Sequence, residues 1–298
     1  MKSTPVFLCF EDEYDKAARI AHAAQLNVIT IERHRFPDGE LRLRLPAALP
    51  DQLVIVRTLN DPNEKLIELL LTAQTARSLG ARHLTLVTPY LAYMRQDVAF
   101  HPGEAISQRI VGQLIADLFN AVITVDPHLH RVSTLQEAVP VTSAIVLSGA
   151  PALSDLIASR RQRPLLLGPD EESAQWVAQA AARHAFDYAV CRKVRCGDRT
   201  VEVVLPDVVL AGRQVVIMDD VVSTGHTVAQ AARLLLKAGA ASVDVAVTHA
   251  LFADNALQLI QDAGVNEVWS TDCIEHASNA VSMADAMGAA VTQILATI

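Results

Sequence analysis

The sequence has few cysteines and no long apolar run, and both shortages exclude classes of protein. Its four cysteines are Cys9, Cys191, Cys196 and Cys273. The spacing of the closest pair matches no zinc or thioredoxin pattern, so free thiols in a reducing compartment are expected. No stretch of about eighteen uninterrupted apolar residues occurs, although a membrane-spanning helix requires that length. We therefore expect no membrane contact.

Positive charge is also in deficit. Lysine and arginine total 25 against 33 acidic residues, which gives a net charge of −8. A nucleic-acid surface needs clustered Lys and Arg to neutralise phosphates, so no nucleic-acid partner is expected. Residues 1–10 lack the basic start and cleavable apolar core of a signal peptide, which predicts a cytoplasmic protein. An anionic ligand would have to be bound locally, by metal, loop amides and a few placed cations.

The pattern that is present is typical of an α/β protein. The chain has 298 residues, 51% hydrophobic and 19% charged, which is enough for two ordinary domains. Short runs rich in Val, Ile and Leu alternate with Ala- and Leu-rich stretches, as parallel strands and crossover helices do. Strands are predicted near residues 5–10, 27–31, 53–57, 83–88, 122–126, 143–147, 164–168, 187–191, 201–205, 214–218, 243–248 and 266–270, with helices such as 64–79, 106–119, 172–184, 227–238 and 254–263.

A weak internal repeat indicates two similar domains. A helix, a Gly-Ala stop and a strand occur around Gly80 and again around Gly239. Glycine commonly ends helices, so one such match means little. Two matches at corresponding places favour two doubly wound parallel-sheet domains. The predicted domains are residues 1–147 and 148–298.

The strongest local pattern is a strand followed by two acids and a small polar loop. Asp219 and Asp220 follow an apolar run, and an Ala- and Leu-rich helix comes after the loop. The loop consists of Ser223, Thr224, Gly225, His226 and Thr227. Loop amides and a helix N-terminus attract phosphate, while the acids suit sugar hydroxyls or a hard divalent cation. The alternative is a plain capped helix after a strand.

This segment resembles the phosphoribosyl diphosphate loop shared by type I phosphoribosyltransferases and ribose-phosphate pyrophosphokinases. The resemblance implies that Asp219 and Asp220 hold the ribose 2- and 3-hydroxyls and that residues 223–227 hold the 5-phosphate. It also implies the type I phosphoribosyltransferase fold. His226 stands where the family usually has glycine, so its side chain could crowd the loop or restrict its backbone.

The N-terminal half resembles the pyrophosphokinases, whereas the transferases usually carry a single domain of this kind. The run Phe36-Pro37-Asp38-Gly39-Glu40 is similar to a family turn that binds adenine. The resemblance implies that Phe36 stacks on the base and that Asp38 and Glu40 meet its polar edge. An ordinary Pro-Asp-Gly turn is the alternative.

A second segment of the same half resembles the family's nucleotide-binding region. It contains Arg95, Gln96 and Asp97, and its continuation at 102–107 is most similar to archaeal-type members. The resemblance implies that these residues bind ATP. Arg95 would clamp polyphosphate with its forked donors, and Gln96 can read an adenine edge. A solvated surface cluster is the alternative.

Two further matches imply magnesium sites. Asp126-Pro127-His128 resembles the family motif whose histidine ligates the Mg²⁺ bound to ATP, so His128 inherits that role; His130 nearby is an unassigned competitor. Asp170 matches the strand-end acid that holds a second Mg²⁺ beside the ribose. Glu171 and Glu172 replace small glycines of many relatives, and this added acid could bind metal or repel the sugar phosphate.

The catalytic cations are implied by a match to the family's Lys-x-Arg at the root of a mobile loop. Lys193 and Arg195 leave a predicted strand there and would lie over the transferring phosphoryl group. A solvated hairpin is the alternative.

These resemblances imply a ribose-phosphate diphosphokinase that uses ATP, ribose 5-phosphate and Mg²⁺. Family members commonly assemble with themselves, so a homo-oligomer is expected. One alternative is a phosphoribosyltransferase, which would bind a nucleobase and need no ATP site. The other is a catalytically silent homologue that regulates or scaffolds an active partner.

Overall fold

The computed structural model describes residues 4–195 and 201–298. Their backbone forms two α/β units, each built on one parallel sheet. The first unit contains the chain up to Leu147 together with Ala284–Ile298, and the second contains Ser148–Met283. The predicted fold class, two doubly wound parallel-sheet domains, is confirmed.

The first unit has a parallel sheet in the order β2-β1-β5-β6-β7-β8. Its strands are β1 (Val6–Cys9), β2 (Asn27–Thr30), β5 (Gln52–Val56), β6 (His83–Thr88), β7 (Ala121–Val125) and β8 (Ser143–Leu147). Its helices are α1 (Tyr14–Ala23), α2 (Pro62–Ser78), α3 (Ser107–Leu118), α4 (Leu135–Ala138) and α9 (Ala284–Leu295). An antiparallel hairpin, β3 (Glu32–Arg35) with β4 (Leu41–Arg44), stands beside the sheet. The strands β5 and β7 are almost wholly buried, as expected of strands covered by helices on both faces.

The second unit repeats this plan in the order β10-β9-β13-β14-β15-β16. Its sheet strands are β9 (Leu165–Gly168), β10 (Asp187–Val190), β13 (Gln214–Val222), β14 (Ser242–Ala250), β15 (Val268–Thr271) and β16 (Asn279–Val281). Its helices are α5 (Ala150–Arg160), α6 (Ala174–His184), α7 (His226–Lys237) and α8 (Ala256–Asp262). A hairpin, β11 (Arg192–Arg195) with β12 (Val201–Val204), follows β10.

The strand order places one switch point in each sheet. In the first unit the chain moves outward from β1 to β2 and then returns to the other side of β1 with β5. In the second unit β9, β10 and β13 are related in the same way. Open α/β sheets bind ligands outside the carboxyl ends of the strands at such points. The fold therefore predicts one ligand-binding edge in each unit.

The last helix belongs to the first unit, which differs from the predicted second domain of 148–298. One face of α9 packs against α1, and Gly288 on α9 lies against Ala23. A Cβ added at Gly288 would lie 2.5 Å from the Cβ of Ala23, so only glycine allows this approach. The apolar face of a helix shows that the helix is buried but not which sheet covers it. The sequence therefore did not reveal that α9 packs on the first unit.

Three cysteines are buried, and none of the three forms a disulfide. Burial raises the pKa of Cys9 to about 11 and that of Cys191 to about 12, so both thiols are protonated at neutral pH. Cys273 is the third, and Cys196 lies outside the described residues. Within residues 4–195 and 201–298, none of the helices combines a bilayer-spanning length with a sufficiently apolar composition.

Candidate active site

The predicted phosphate loop joins β13 to α7 at the switch point of the second unit. The strand β13 runs to Val222, so Asp219 and Asp220 lie within its last residues. The shorter predicted strand, 214–218, placed both acids after its end. Gly225 precedes α7 with φ of +75°, a left-handed conformation that glycine adopts freely. A Cβ there would also lie 3.1 Å from the carbonyl oxygen of Ala256. The loop geometry therefore requires glycine at this position.

The loop residues are open to a ligand to different degrees. Thr224 and His226 are exposed, Ser223 and Thr227 are partly buried, and Gly225 is buried. The exposed His226 is the first residue of α7, so the helix accommodates it without burying the ring. The hydroxyls of this loop and the amides at the start of α7 lie in one short segment, which is the arrangement that binds a phosphate.

A second loop, residues 251–255 between β14 and α8, holds the phosphate loop in place. The amide of Phe252 donates to the carbonyl of Val222 at 2.9 Å, and the amide of Ala253 donates to the carbonyl of Ser223 at 3.0 Å. Phe252 has φ of +34°, which is strained for a residue with a side chain. Its ring is buried and lies 4.9 Å from the ring of His276. Sequence reasoning missed this support because backbone hydrogen bonds leave no residue signature.

Three carboxylates approach one another at the ends of β9 and β13. Asp170 is buried, and its side chain accepts hydrogen bonds from the amides of Glu172 and Ser173 at 3.1 and 3.3 Å. Burial raises the pKa of Asp219 well above its usual value, and the charges of Asp220 and Asp170 raise it further. A carboxylate in such surroundings favours either a proton or a cation. Carboxylate oxygens suit Mg²⁺, which prefers carboxylate and water ligands.

The predicted catalytic cations lie on β11. Lys193 pairs with Val203 and Arg195 with Val201 in the antiparallel hairpin. The side chains of Lys193 and Arg195 lie outside the described residues. Their role stays a prediction.

In the first unit, the predicted adenine-binding turn is the tip of the β3–β4 hairpin. The amide of Phe36 donates to the carbonyl of Glu40 at 2.8 Å, and Gly39 has φ of +93°. The carboxylate of Asp38 accepts from the amide of Glu40 at 3.1 Å. Phe36 is 39% exposed, and its ring meets only the edge of His34 among the described aromatic contacts. The turn thus presents an open aromatic face and exposed acids.

Charged residues anchor this hairpin to the body of the first unit. We call Asp12, Arg33, Arg57 and Glu68 the anchor network. Glu68, which is 0% exposed, binds Arg33 through one oxygen and Arg57 through the other, the latter at 2.5 Å. Arg57, which is 2% exposed, also binds Asp12 at 2.7 Å. The guanidiniums of Arg33 and Arg57 both lie over the ring of Phe10. Sequence reasoning assigned no role to these residues.

The predicted nucleotide segment divides into exposed and buried residues. Arg95 is exposed, and no acid in residues 4–195 or 201–298 pairs with it, so its guanidinium can receive an anion. The Gln96 side chain donates to the carbonyl of Val98 at 3.1 Å. Asp97 is buried and accepts from Arg131 at 2.6 Å. This geometry favours a positioning role for Asp97 over direct contact with ATP.

His128 follows β7 in a strained loop. Asp126 is buried with φ of +36°, and its amide donates to the carbonyl of Leu147 at 2.9 Å. His128 and His130 then bring their Nε2 atoms within hydrogen-bonding distance of each other. Strained backbone held by a buried residue is frequent at functional sites. The predicted metal ligand therefore has a second histidine beside it.

Two family models match the chain. The one described as the N-terminal domain of ribose phosphate pyrophosphokinase matches residues 6–118, and the one described as the phosphoribosyl transferase domain matches residues 141–285. A ribose-phosphate pyrophosphokinase of Methanopyrus kandleri is 33% identical over 93% of this chain and 94% of its own length. That of Saccharolobus solfataricus is 34% identical over 83% of this chain and 85% of its own length.

A solved structure has the same fold. The phosphoribosylpyrophosphate synthetase of Mycobacterium smegmatis matches 99% of this chain and 100% of its own with a TM-score of 0.85, at 20% identity. The phosphate loop and the matches across both halves lead to one conclusion: the chain belongs to the ribose-phosphate pyrophosphokinase family.

Proposed function

We propose that this chain is a ribose-phosphate diphosphokinase that transfers the diphosphoryl group of Mg-ATP to the 1-hydroxyl of ribose 5-phosphate. The products are phosphoribosyl diphosphate and AMP. The observation that carries the proposal is the phosphate loop with its acid pair at the switch point of the second unit, in a chain whose relatives of similar length share the family name. A single-domain transferase would not account for the matched N-terminal half.

The acceptor sugar is assigned to the second unit. Asp219 and Asp220 would accept hydrogen bonds from the 2- and 3-hydroxyls of ribose. The residues that would bind the 5-phosphate through hydroxyls, amides and the N-terminus of α7 are Ser223, Thr224, Gly225, His226 and Thr227. Two-point attachment of the sugar fixes the 1-hydroxyl, and fixing a reacting atom lowers the barrier by removing motional freedom before reaction.

The nucleotide is assigned to residues of the first unit. Phe36 would stack on adenine, with Asp38 and Glu40 accepting from its amino group. Arg95 would bind the polyphosphate, because its exposed guanidinium has no acid partner in the described residues. Gln96 is a further base contact if its amide leaves the carbonyl of Val98.

Charge stabilisation is assigned to cations and metal ligands. Transfer of a diphosphoryl group demands in-line positioning and neutralisation of negative charge more than covalent chemistry. Lys193 and Arg195 would lie over the transferring group and close out water. Asp170 and His128 would hold Mg²⁺, which when bound screens the phosphate charge. No residue is assigned as general base. Self-assembly and a cytoplasmic location stay predictions.

A discriminating assay supplies ribose 5-phosphate, ATP and Mg²⁺ and measures AMP and phosphoribosyl diphosphate. Lys193→Ala is expected to lower kcat by about a hundredfold or more, because such cations act mainly on the transition state. Arg192→Ala is the matched control, since Arg192 is an exposed neighbour on the same strand. Circular dichroism and Tm check that both variants fold.

Three outcomes would contradict this proposal. Consumption of a nucleobase with phosphoribosyl diphosphate, without any AMP from ATP, would identify a phosphoribosyltransferase. Absence of turnover in the folded parent protein would favour a silent homologue. Equal kcat for Lys193→Ala and Arg192→Ala would remove Lys193 from the reaction.

A further inference from the structure

His276 begins a tight turn that joins β15 to β16 in the second unit. We call residues 276–279 the histidine turn. The amide of His276 donates to the side-chain oxygen of Asn279 at 2.9 Å, and the amide of Asn279 donates to the carbonyl of His276 at 3.0 Å. The side-chain nitrogen of Asn279 also donates to the carbonyl of Thr271, the last residue of β15, at 2.6 Å. These bonds fix the histidine turn to the end of the sheet.

The ring of His276 accepts hydrogen bonds within this turn. The backbone amide of Ser278 donates to Nδ1 at 3.1 Å, and the hydroxyl oxygen of Ser278 lies 2.8 Å from the same nitrogen. A backbone amide can only donate, so Nδ1 carries a lone pair and the ring proton is on Nε2. The hydroxyl oxygens of Ser278 and Ser270 are 2.8 Å apart, and Asn279 donates to Ser270 at 2.9 Å. The hydroxyls can therefore donate in series towards Nδ1, which requires a neutral imidazole.

The same ring couples the histidine turn to the loop 251–255. The ring centroids of His276 and Phe252 are 4.9 Å apart, and the ring planes are inclined at 45°. Phe252 is buried although its backbone is left-handed, a conformation that persists only where the surroundings hold it. The amides of Phe252 and Ala253 bind the carbonyls of Val222 and Ser223 at the phosphate loop. One ring contact thus connects the histidine turn to the support of the phosphate loop.

Protonation of His276 is incompatible with this arrangement. An imidazolium ring has a donor on each nitrogen, so its Nδ1 proton would face the amide proton of Ser278. Burial lowers the pKa of His276 below its usual value of about 6.5. A lowered pKa means that the folded state favours the neutral ring. Its contribution to the fold is therefore present above about pH 6.5 and is lost as the pH falls through the folded pKa.

The charged residues on the segments around His276 do not compensate an imidazolium charge. Asp254 in the loop 251–255 and Glu275 next to the histidine turn are both exposed. The carboxylate of Asp272 accepts from the amide of Met283 at 2.8 Å, so it already binds another segment. Among the residues that the structure describes, burial is the cause of the lowered pKa and charged groups add nothing to it. Acid would therefore place an uncompensated charge beside Phe252.

We propose that neutral His276 is a positioning residue for ribose 5-phosphate: it holds Phe252, and through Phe252 the loop 251–255, in the geometry that supports the phosphate loop. Protonation of the ring then weakens the binding of ribose 5-phosphate and leaves the binding of ATP unchanged. The inference rests on the proposed function, which assigns ribose 5-phosphate to the phosphate loop. His276 acts through its neighbours and touches no substrate.

The test is calorimetric titration of the full chain with ribose 5-phosphate between about pH 8 and about pH 5.5, a range that brackets the usual pKa of histidine. His276→Phe keeps a ring against Phe252 but removes the acceptor, whereas His276→Asn keeps an acceptor but removes the ring. Each should raise the Kd at the upper pH about three- to tenfold, the usual effect of one lost hydrogen bond or contact. His184→Phe is the matched control, because His184 is an exposed histidine beside Phe186 in the same unit.

The pH profile separates positioning from a merely structural role. On acidification the Kd of the parent protein and of His184→Phe should rise more than the Kd of His276→Phe, which retains every other titrating group, including the sugar phosphate. Nitrogen-15 NMR of the parent protein should show the Nε2–H tautomer of His276 and a titration midpoint that coincides with the change in Kd. The affinity for ATP should stay constant over the same range.

Two results would overturn this inference while the parent protein still binds ribose 5-phosphate. One is a Kd that follows pH identically in the parent and in His276→Phe. The other is a Kd at the upper pH that neither His276→Phe nor His276→Asn changes, with Tm showing that both variants fold. A folded parent protein that binds no ribose 5-phosphate at either pH would instead overturn the proposed function, and this inference with it.

Discussion

Among single residues, Asp219 is the one whose ionised form its surroundings disfavour most clearly. Its folded pKa is raised by burial and by two neighbouring carboxylates. A raised carboxyl pKa means that the folded state binds the proton more tightly than the unfolded state does. Stability is therefore lost as the pH rises from about 4, the usual pKa of Asp, through the folded pKa. Near neutral pH the metal-free protein carries this penalty, and a bound cation relieves it.

Asp219→Asn is expected to raise the Tm of the metal-free protein near pH 8 and to have little effect near pH 4. The same variant should bind ribose 5-phosphate roughly 10- to 100-fold more weakly, since a hydrogen bond to a charged group contributes about 1.5–3 kcal/mol. Differential scanning calorimetry with and without Mg²⁺ measures the first effect and calorimetric titration the second. Asp207→Asn, an exposed acid, is the control. A lower Tm for Asp219→Asn at pH 8 would contradict the assigned pKa shift.

At the scale of elements, the β3–β4 hairpin depends on the anchor network. Glu68→Ala would remove the fully buried partner of Arg57 and leave Asp12 as its ion pair, so Tm should fall, at a cost of up to about 3–5 kcal/mol. Arg33→Ala removes the network's ion pairs to the hairpin and leaves the pair of Arg35 with Glu64, so the KM for ATP should rise several-fold while the KM for ribose 5-phosphate stays constant. Steady-state kinetics with each substrate varied measures this difference. Arg44→Ala, which breaks an exposed pair in the same hairpin, should change neither KM.

A change in the loop 251–255 should weaken the binding of ribose 5-phosphate and not that of ATP, which is the reverse of the effect expected for Arg33→Ala. Phe252→Ala keeps the backbone amides that bind Val222 and Ser223 but opens a cavity beside His276, so the loop that carries these amides loses its packing. A buried Phe→Ala change costs about 3–5 kcal/mol, so a lower Tm is expected. Among folded molecules, the KM for ribose 5-phosphate should rise about tenfold and the KM for ATP should not. Phe252→Leu should recover part of the lost Tm and part of the lost affinity for ribose 5-phosphate. Equal rises in the two KM values would show a general loss of structure instead.

Elements with apolar runs were predictable, whereas elements that consist mainly of charged residues were not. The strands β5, β7 and β13 consist mainly of Val, Ile and Leu in their buried parts, because both faces of a parallel sheet are covered. The hairpin β3–β4 escaped prediction because both strands expose charged residues, such as Glu32 and Arg44. The acid pair and phosphate loop were predictable since their residues are adjacent in sequence. The anchor network unites residues far apart in the chain, so it required the fold.

Across the whole molecule, the proposed function assigns a different substrate to each unit. The first holds the residues assigned to nucleotide, and the second holds those assigned to the pentose phosphate. Their matching strand orders place a ligand-binding edge in each. The helix α9 packs against α1 and belongs to the first unit. Removing residues 284–298 should therefore destabilise the first unit more than the second.

In the proposed reaction, two phosphorus atoms of ATP move together to the 1-oxygen of ribose 5-phosphate. Phosphorus NMR of a reaction containing the protein, Mg-ATP and ribose 5-phosphate follows both atoms. A diphosphate ester of the sugar and AMP are expected in a one-to-one ratio, without ADP. Formation of ADP with ribose 1,5-bisphosphate, or an unchanged ATP spectrum with folded protein, would contradict this transfer.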